Sequence, residues 1–204
     1  MVRVSRIRRK TYQHGHLPEA LAAAVVALVK EGGVRGFTLA EAARRSGVSG
    51  SAPYRHYADR DALLATVAAH VYGVFAKRLR AAKKIHRAPL PQVAAMAAAY
   101  VTFARDDRAR FAILFDSGID KSAYPELAKA ADAAYLEFGS TVSALCNHNA
   151  LRTRDLAIAL RACVHGYAAL LNDGTLKYNG LYRKDVPRLA AQCVRKVAKA
   201  FVGR

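Results

Sequence analysis

Thr38–Tyr57, TLAEAARRSGVSGSAPYRHY, is the stretch on which the reading of this chain turns. Thr38 followed three residues later by Glu41 is a capping box, so a short helix is expected over Leu39–Ser46. Gly47 supplies the left-handed conformation that ends a helix, and Val48 offers the apolar contact that goes with such a stop. Ser49 or Ser51 can cap a second helix running to about Tyr57. Pro53 removes an amide donor and restricts Ala52, so it must lie in the first turn if that helix is regular. Two helices joined by a short Gly-containing turn make a helix-turn-helix, whose second helix can enter the major groove of DNA. Such corners also occur in all-α proteins that never meet nucleic acid. The second helix discriminates: Ser49, Ser51, Tyr54, Arg55 and His56 suit base edges and phosphates, whereas a solvated helix more often carries Glu and Lys.

The rest of the composition agrees with a polyanionic partner. The 204 residues have 53% hydrophobic and 24% charged residues, as in a soluble protein that buries a proper core, yet the formal net charge is +18. Through residue 60 there are 11 Lys and Arg against 4 Asp and Glu, so the excess reaches the helix-turn-helix end. No apolar run is expected to cross a bilayer, and the basic start is not followed by a signal-peptide core, which predicts a cytoplasmic protein. Three cysteines, Cys146, Cys163 and Cys193, form an odd set in apolar patterns and do not suggest a disulfide framework.

Outward from Thr38, residues 1–12 read as a basic flexible arm, with Arg8, Arg9 and Lys10 able to lie along a phosphate backbone or in a minor groove. Residues 13–60 are the expected helix-turn-helix DNA-binding domain, opening with a helix whose Leu17, Leu21, Val25, Leu28 and Val29 form one stripe that stops at Gly32–Gly33. Asp59 can cap a long helix carrying Leu64, Val67, Val71, Phe75 and Leu79. Arg60 in its first turn opposes the helix dipole, which makes it a tolerated surface charge or a phosphate contact, the second being preferred. Lys77, Arg78, Arg80, Lys83, Lys84 and Arg87 at its far end read as a solvated face.

Residues 61–204 are expected to form a helical ligand-binding and dimerisation domain. Pro89 and Pro91 break the pattern, and helices follow at about residues 92–105, 107–115, 125–147, 153–171 and 185–202. No segment alternates with a period of two, so the fold class is all-α. Met96, Tyr100, Phe103, Phe111, Phe115, Tyr135, Phe138 and Tyr167 concentrate aromatic and soft surface that suits an apolar or flat ligand, or simply fills the core. His165 is either a satisfied core histidine or a further ligand contact. The last two helices carry broad stripes, from which Leu156, Leu160, Val164, Leu189, Cys193 and Val197 are expected to build a four-helix interface with a second copy. A two-fold dimer would set two recognition helices about 34–36 Å apart, the spacing of successive major grooves.

Catalytic signatures are absent: there is no P-loop, no His-Glu-x-x-His and no dinucleotide fingerprint, so neither an enzyme nor a cofactor is expected. Cys146/His148 and Cys163/His165 are two residues apart, roughly 200° around a helix, and neither pair can chelate a metal alone. The competing view is a basic helical protein that binds DNA non-specifically through charge, without an inducer, and it predicts binding lost in moderate salt.

GFTLAEAARRSGVSGSAPYRHYADRDALLATV, Gly36–Val67, resembles the DNA-binding signature of the TetR family of bacterial transcriptional regulators. TYQHGHLPEAL, Thr11–Leu21, is similar to the His-Gly-x-Leu opening of one branch. The resemblance implies an all-α homodimer with an N-terminal three-helix DNA-binding domain and a C-terminal ligand pocket, acting as a repressor released from a palindromic operator by a small molecule. It places Thr38, Ser49, Ser51, Tyr54, Arg55, His56 and Arg60 on DNA and packs Tyr57 inside; Tyr12 and His14 are further candidate DNA contacts. CVHGYAALLNDG, Cys163–Gly174, is similar to the corresponding segment of the branch named for a Trp-His-Gly motif, although this chain contains no Trp.

Overall fold

The computed structural model describes residues 17–203, so Arg8, Arg9, Lys10, Tyr12 and His14 lie outside the described residues. Among these there are eight α-helices and no strand: α1 (Leu17–Gly32), α2 (Leu39–Arg45), α3 (Arg60–Lys84), α4 (Pro89–Asp106), α5 (Arg108–Phe115), α6 (Pro125–Leu145), α7 (Ala150–Asn172) and α8 (Val186–Val202). The all-α expectation is met, and helix bounds fall within a few residues of the sequence pattern. α4 begins at Pro89, earlier than expected, because the first amides of a helix have no intrahelical acceptor and proline loses nothing there. Side-chain caps set the starts of α3, α5 and α7: Asp59 accepts from the Ala62 amide at 2.8 Å, Asp107 from Arg110 at 3.1 Å, and Asn149 from Arg152 at 3.0 Å.

α3 is the axis of the molecule. It packs against α4, α5 and α6, while α4 also meets α6, α7 and α8. One apolar core runs from Leu21 to Ala198 and includes Leu64, Val67, Val71, Phe75 and Leu79. Contrary to expectation, α3 is long and apolar enough by composition to cross a membrane; 56% of its most apolar window is buried inside the fold, as befits a core helix. The basic end of α3 is more tied than the sequence suggests, with Arg80 on Glu137 of α6 at 2.7 Å and Arg78 over the Phe103 ring.

The last two helices need a correction. Leu156, Leu160 and Val164 are 0%, 0% and 3% exposed within a single chain, so they serve the chain's own core and offer nothing to a partner. On α8 the buried line is Val186, Ala190, Val194 and Ala198, one residue away from Leu189, Cys193 and Val197, which stay half-buried. Small alanines on the inward line let α8 lie close to α4, and the bulkier residues are turned toward the side.

Candidate functional site

The reading head is built by local hydrogen bonds. The Thr38 hydroxyl accepts from the Glu41 amide at 3.2 Å and the Glu41 carboxylate accepts from the Thr38 amide at 2.8 Å, which completes the capping box. At the other end of α2, Gly47 has φ +77°, its amide donates to the Arg44 carbonyl, and the Val48 amide donates to Ala43. That pair of bonds is a Schellman stop, and the left-handed residue at its corner calls for glycine. Gly36 is required for another reason: a Cβ there would sit 2.2 Å from the Gly32 carbonyl oxygen. An Arg45–Glu31 ion pair ties the end of α2 to α1.

The expected second helix over Ser49–Tyr57 is not a regular α-helix. Pro53–Arg55 is a 3-10 turn, entered through Ala52 in helical conformation and a bond from the Ala52 amide to the Ser49 carbonyl at 3.0 Å. Pro53 has no amide to give, so the ladder cannot extend back to Ser49, and neither serine caps it; their hydroxyls lie 3.4 Å from each other instead. The chemistry of the face survives this change. Ser49, Ser51, Tyr54, Arg55 and His56 are all exposed, Pro53 is buried beneath them, and Tyr57 packs against the core. Thr38 is exposed as well.

Arg60 is placed otherwise than expected. Its Nε donates to the Phe37 carbonyl at 3.2 Å, one Nη donates to the Val34 carbonyl, the other meets Asp61 at 2.6 Å, and the guanidinium sits over the Phe37 ring. With every arm engaged and the side chain only 28% exposed, Arg60 is a clamp between α3 and the α1–α2 corner instead of a free phosphate ligand.

The second feature lies at the centre of the C-terminal helices. Phe75 and Leu79 of α3, Met96, Ala97 and Tyr100 of α4, Ala134, Tyr135 and Phe138 of α6, and Arg161 and Val164 of α7 enclose a cavity of about 40 Å³. Beside it a groove of about 410 Å³ is lined by Phe115, Lys121, Tyr135, Ile158, Arg161, Ala162 and His165. Tyr135 and Arg161 belong to both and form the partition: the guanidinium lies 4.4 Å from the Tyr135 ring centre and donates to its hydroxyl at 3.0 Å.

Of the aromatics singled out in the sequence, Met96, Tyr100, Tyr135 and Phe138 line the cavity and Phe115 and His165 the groove. Phe103, Phe111 and Tyr167 line neither. Phe103 packs on Phe75, Phe111 stacks on His165 with centroids 5.8 Å apart, and Tyr167, two residues beyond His165, is turned toward Cys163 and Cys193. Phe75, Leu79 and Arg161 were missed, although the α3 stripe gave a signal for the first two.

Polar atoms near the cavity are few and paired. The Tyr100 hydroxyl lies 2.9 Å from His165 Nδ1. Burial, helped by the Arg161 charge and opposed by Asp116, holds the His165 pKa below its ordinary value. Burial likewise keeps the Tyr100 hydroxyl protonated, and pushes the Cys163 thiol up, so Cys163 is not presented as an activated thiolate. α5 connects the two features: Phe115 faces the groove, while Ala109 and Ala112 meet Val29, Gly33 and Val34 of the first helix and its corner across a cleft of about 740 Å³.

Comparison with known proteins agrees with this architecture. Among solved structures, a protein of unknown function from Rhodococcus sp. RHA1 is 27% identical, with a TM-score of 0.76 over 92% of this chain and 97% of that one. A TetR-like transcriptional regulator from the same organism shares 16% identity, with a TM-score of 0.68 over 95% and 100% of the two chains. The transcriptional regulator FadR from Bacillus subtilis, in complex with stearoyl-CoA, shares 13% identity and a TM-score of 0.64 over 90% and 97%; both of these show the fold alone. No curated protein is similar enough to match. Residues 93–197 match the family model for the tetracyclin repressor-like C-terminal domain. With that domain behind a helix-turn-helix corner, the chain belongs to the TetR family of transcriptional regulators.

Proposed function

We propose that this protein is a cytoplasmic, homodimeric repressor that binds a palindromic operator and is released by a small, largely apolar effector. The observation that carries the reading is the exposed set Ser49, Ser51, Tyr54, Arg55 and His56 above the buried Pro53, set on a body with an apolar cavity. Thr38, exposed at the start of α2, and the basic arm with Arg8, Arg9, Lys10, Tyr12 and His14 would add phosphate contacts. Residues 13–60 would form the DNA-binding domain and residues 61–204 the effector and dimer domain. Dimerisation would use the half-buried Leu189, Cys193 and Val197 with the exposed Ile158 and Leu170 of α7, which stand 62% and 41% exposed in the single chain.

A small effector needs roughly 300–1,000 Å³, which the groove and the cavity offer together but the cavity alone does not. A ligand that part-opened the Tyr135–Arg161 partition would shift α6 and α7 and, through Phe115 and α5, the corner of the first helix. FadR, of similar fold, is known in complex with stearoyl-CoA, which supports an elongated apolar occupant. In-vitro selection from random duplex DNA tests the reading: a recovered palindrome is the expected result, and random sequence alone would favour charge-driven, non-specific binding.

A further inference from the structure

The groove holds two cations, Lys121 and Arg161, and among the described residues neither has a carboxylate partner; Arg161 is the one that also borders the cavity. Around the C-terminal helices Arg80, Arg105 and Arg110 each pair with a carboxylate, on Glu137, Asp106 and Asp107. Among the described residues no ion pair involves Arg161; it rests on the Tyr135 ring and hydroxyl. Lys121 lines the same groove. Asp116 contributes an opposing charge near His165, and it lines the cleft on the α1 side of α5, away from the groove's lining. Behind Arg161 the cavity wall is Phe75, Leu79 and Met96, with no charged residue but Arg161 itself.

A guanidinium at the boundary between an apolar chamber and an open groove is suited to one kind of molecule. Its planar donors match a carboxylate or phosphate, and an anion gives it a stronger acceptor than a phenol oxygen. The chamber at 40 Å³ holds about a single water, so any occupant must displace the partition, and an anion drawing Arg161 toward the groove does that. Resting on the effector reading above, we infer that the effector is an amphipathic anion: an apolar chain or ring enters between Phe75, Leu79 and Met96 as Tyr135 yields, and its single anionic group is held by Arg161, with Lys121 adding charge.

The test compares decanoate, decanol and decylammonium by calorimetric titration into the full-length protein, below their aggregation concentrations. Decanoate is expected to bind at least about tenfold tighter than decanol, the scale of one charge-assisted hydrogen bond. Arg161→Gln should erase that preference while decanol binding persists, and Arg161→Glu should transfer it to decylammonium. Arg161 is solvent-exposed, so both variants are expected to fold, and circular dichroism checks this. Equal binding of decanoate and decanol by the parent protein, or an unchanged preference in Arg161→Gln, overturns the anion assignment and leaves the effector cavity standing. No binding by any of the three overturns both, and the DNA selection above reports separately on the regulator.

Discussion

The reading head and the central cavity are made in opposite ways. The caps and stop that shape the head, the Thr38–Glu41 box and the Gly47 stop, are bonds that span at most five residues. Only the Arg45–Glu31 and Arg60 ties reach further, and the head presents polar side chains to solvent. The cavity is walled by residues from Phe75 to Val164 on four helices and keeps its few polar atoms paired. A head specified locally can change its DNA preference through exposed side chains with little cost to the fold. A chamber specified by distant contacts shares its walls with the core, so its chemistry and its stability change together.

The largest effect should come from breaking the core that both regions share. Leu160→Glu places a carboxylate at a fully buried position, at a cost of about 4–5 kcal/mol or more, and loss of cooperative melting is the expected outcome. Dimers of normal helicity would show that the α7 line is not core. Next, Tyr54→Ala and Arg55→Ala should each weaken specific operator binding by at least about tenfold with melting unchanged, because both side chains are exposed. Footprinting that matches the parent would remove this face from the recognition surface.

Arg60→Ala sharpens the comparison, since Arg60 joins the head to α3. Losing its carbonyl bonds should cost about 1–3 kcal/mol of stability, read by thermal melting. The slope of log affinity against log salt should stay the same, whereas a phosphate contact would lower it by about 1. The smallest effect is pH-dependent and belongs to the cavity. With His165 held below its ordinary value by burial and by Arg161, the unfolded chain takes the proton first as pH falls through about 6.5, so stability declines from there downward. His165→Gln should make that decline shallower; an identical pH profile would mean the imidazole titrates as it does in the unfolded chain.

Legibility in the sequence followed the same division. The capping box, the Gly47 stop and the run of helices were readable because each depends on neighbours within a turn or two. Pro53 was recognised as a constraint, but whether the chain would answer with a delayed α-helix or a 3-10 turn was not fixed by the residue alone. Arg60 was misread because the carbonyls it holds lie 23 and 26 residues earlier, and only the packed corner brings them under α3. Periodicity grouped Leu156, Leu160 and Val164 correctly on one face, yet it cannot say whether a face meets the same chain or another. Arg161 was silent for a related reason: its meaning depends on Tyr135, on a different helix.

α3 gives the protein a mechanical character. Arg60 grips the corner of the reading head at one end of this helix, and Phe75 and Leu79 form cavity wall further along it. Fifteen residues of α-helix separate Arg60 from Phe75, a stiff rod of about 22 Å. A tilt of about 5° at the cavity would carry the gripped end by roughly 2 Å, because a helix transmits rotation along its length. On the proposed effector-released reading, the clamp that ties Arg60 to the Phe37 and Val34 carbonyls would make α3 a lever arm, and loosening it should uncouple effector from operator even where both are still bound.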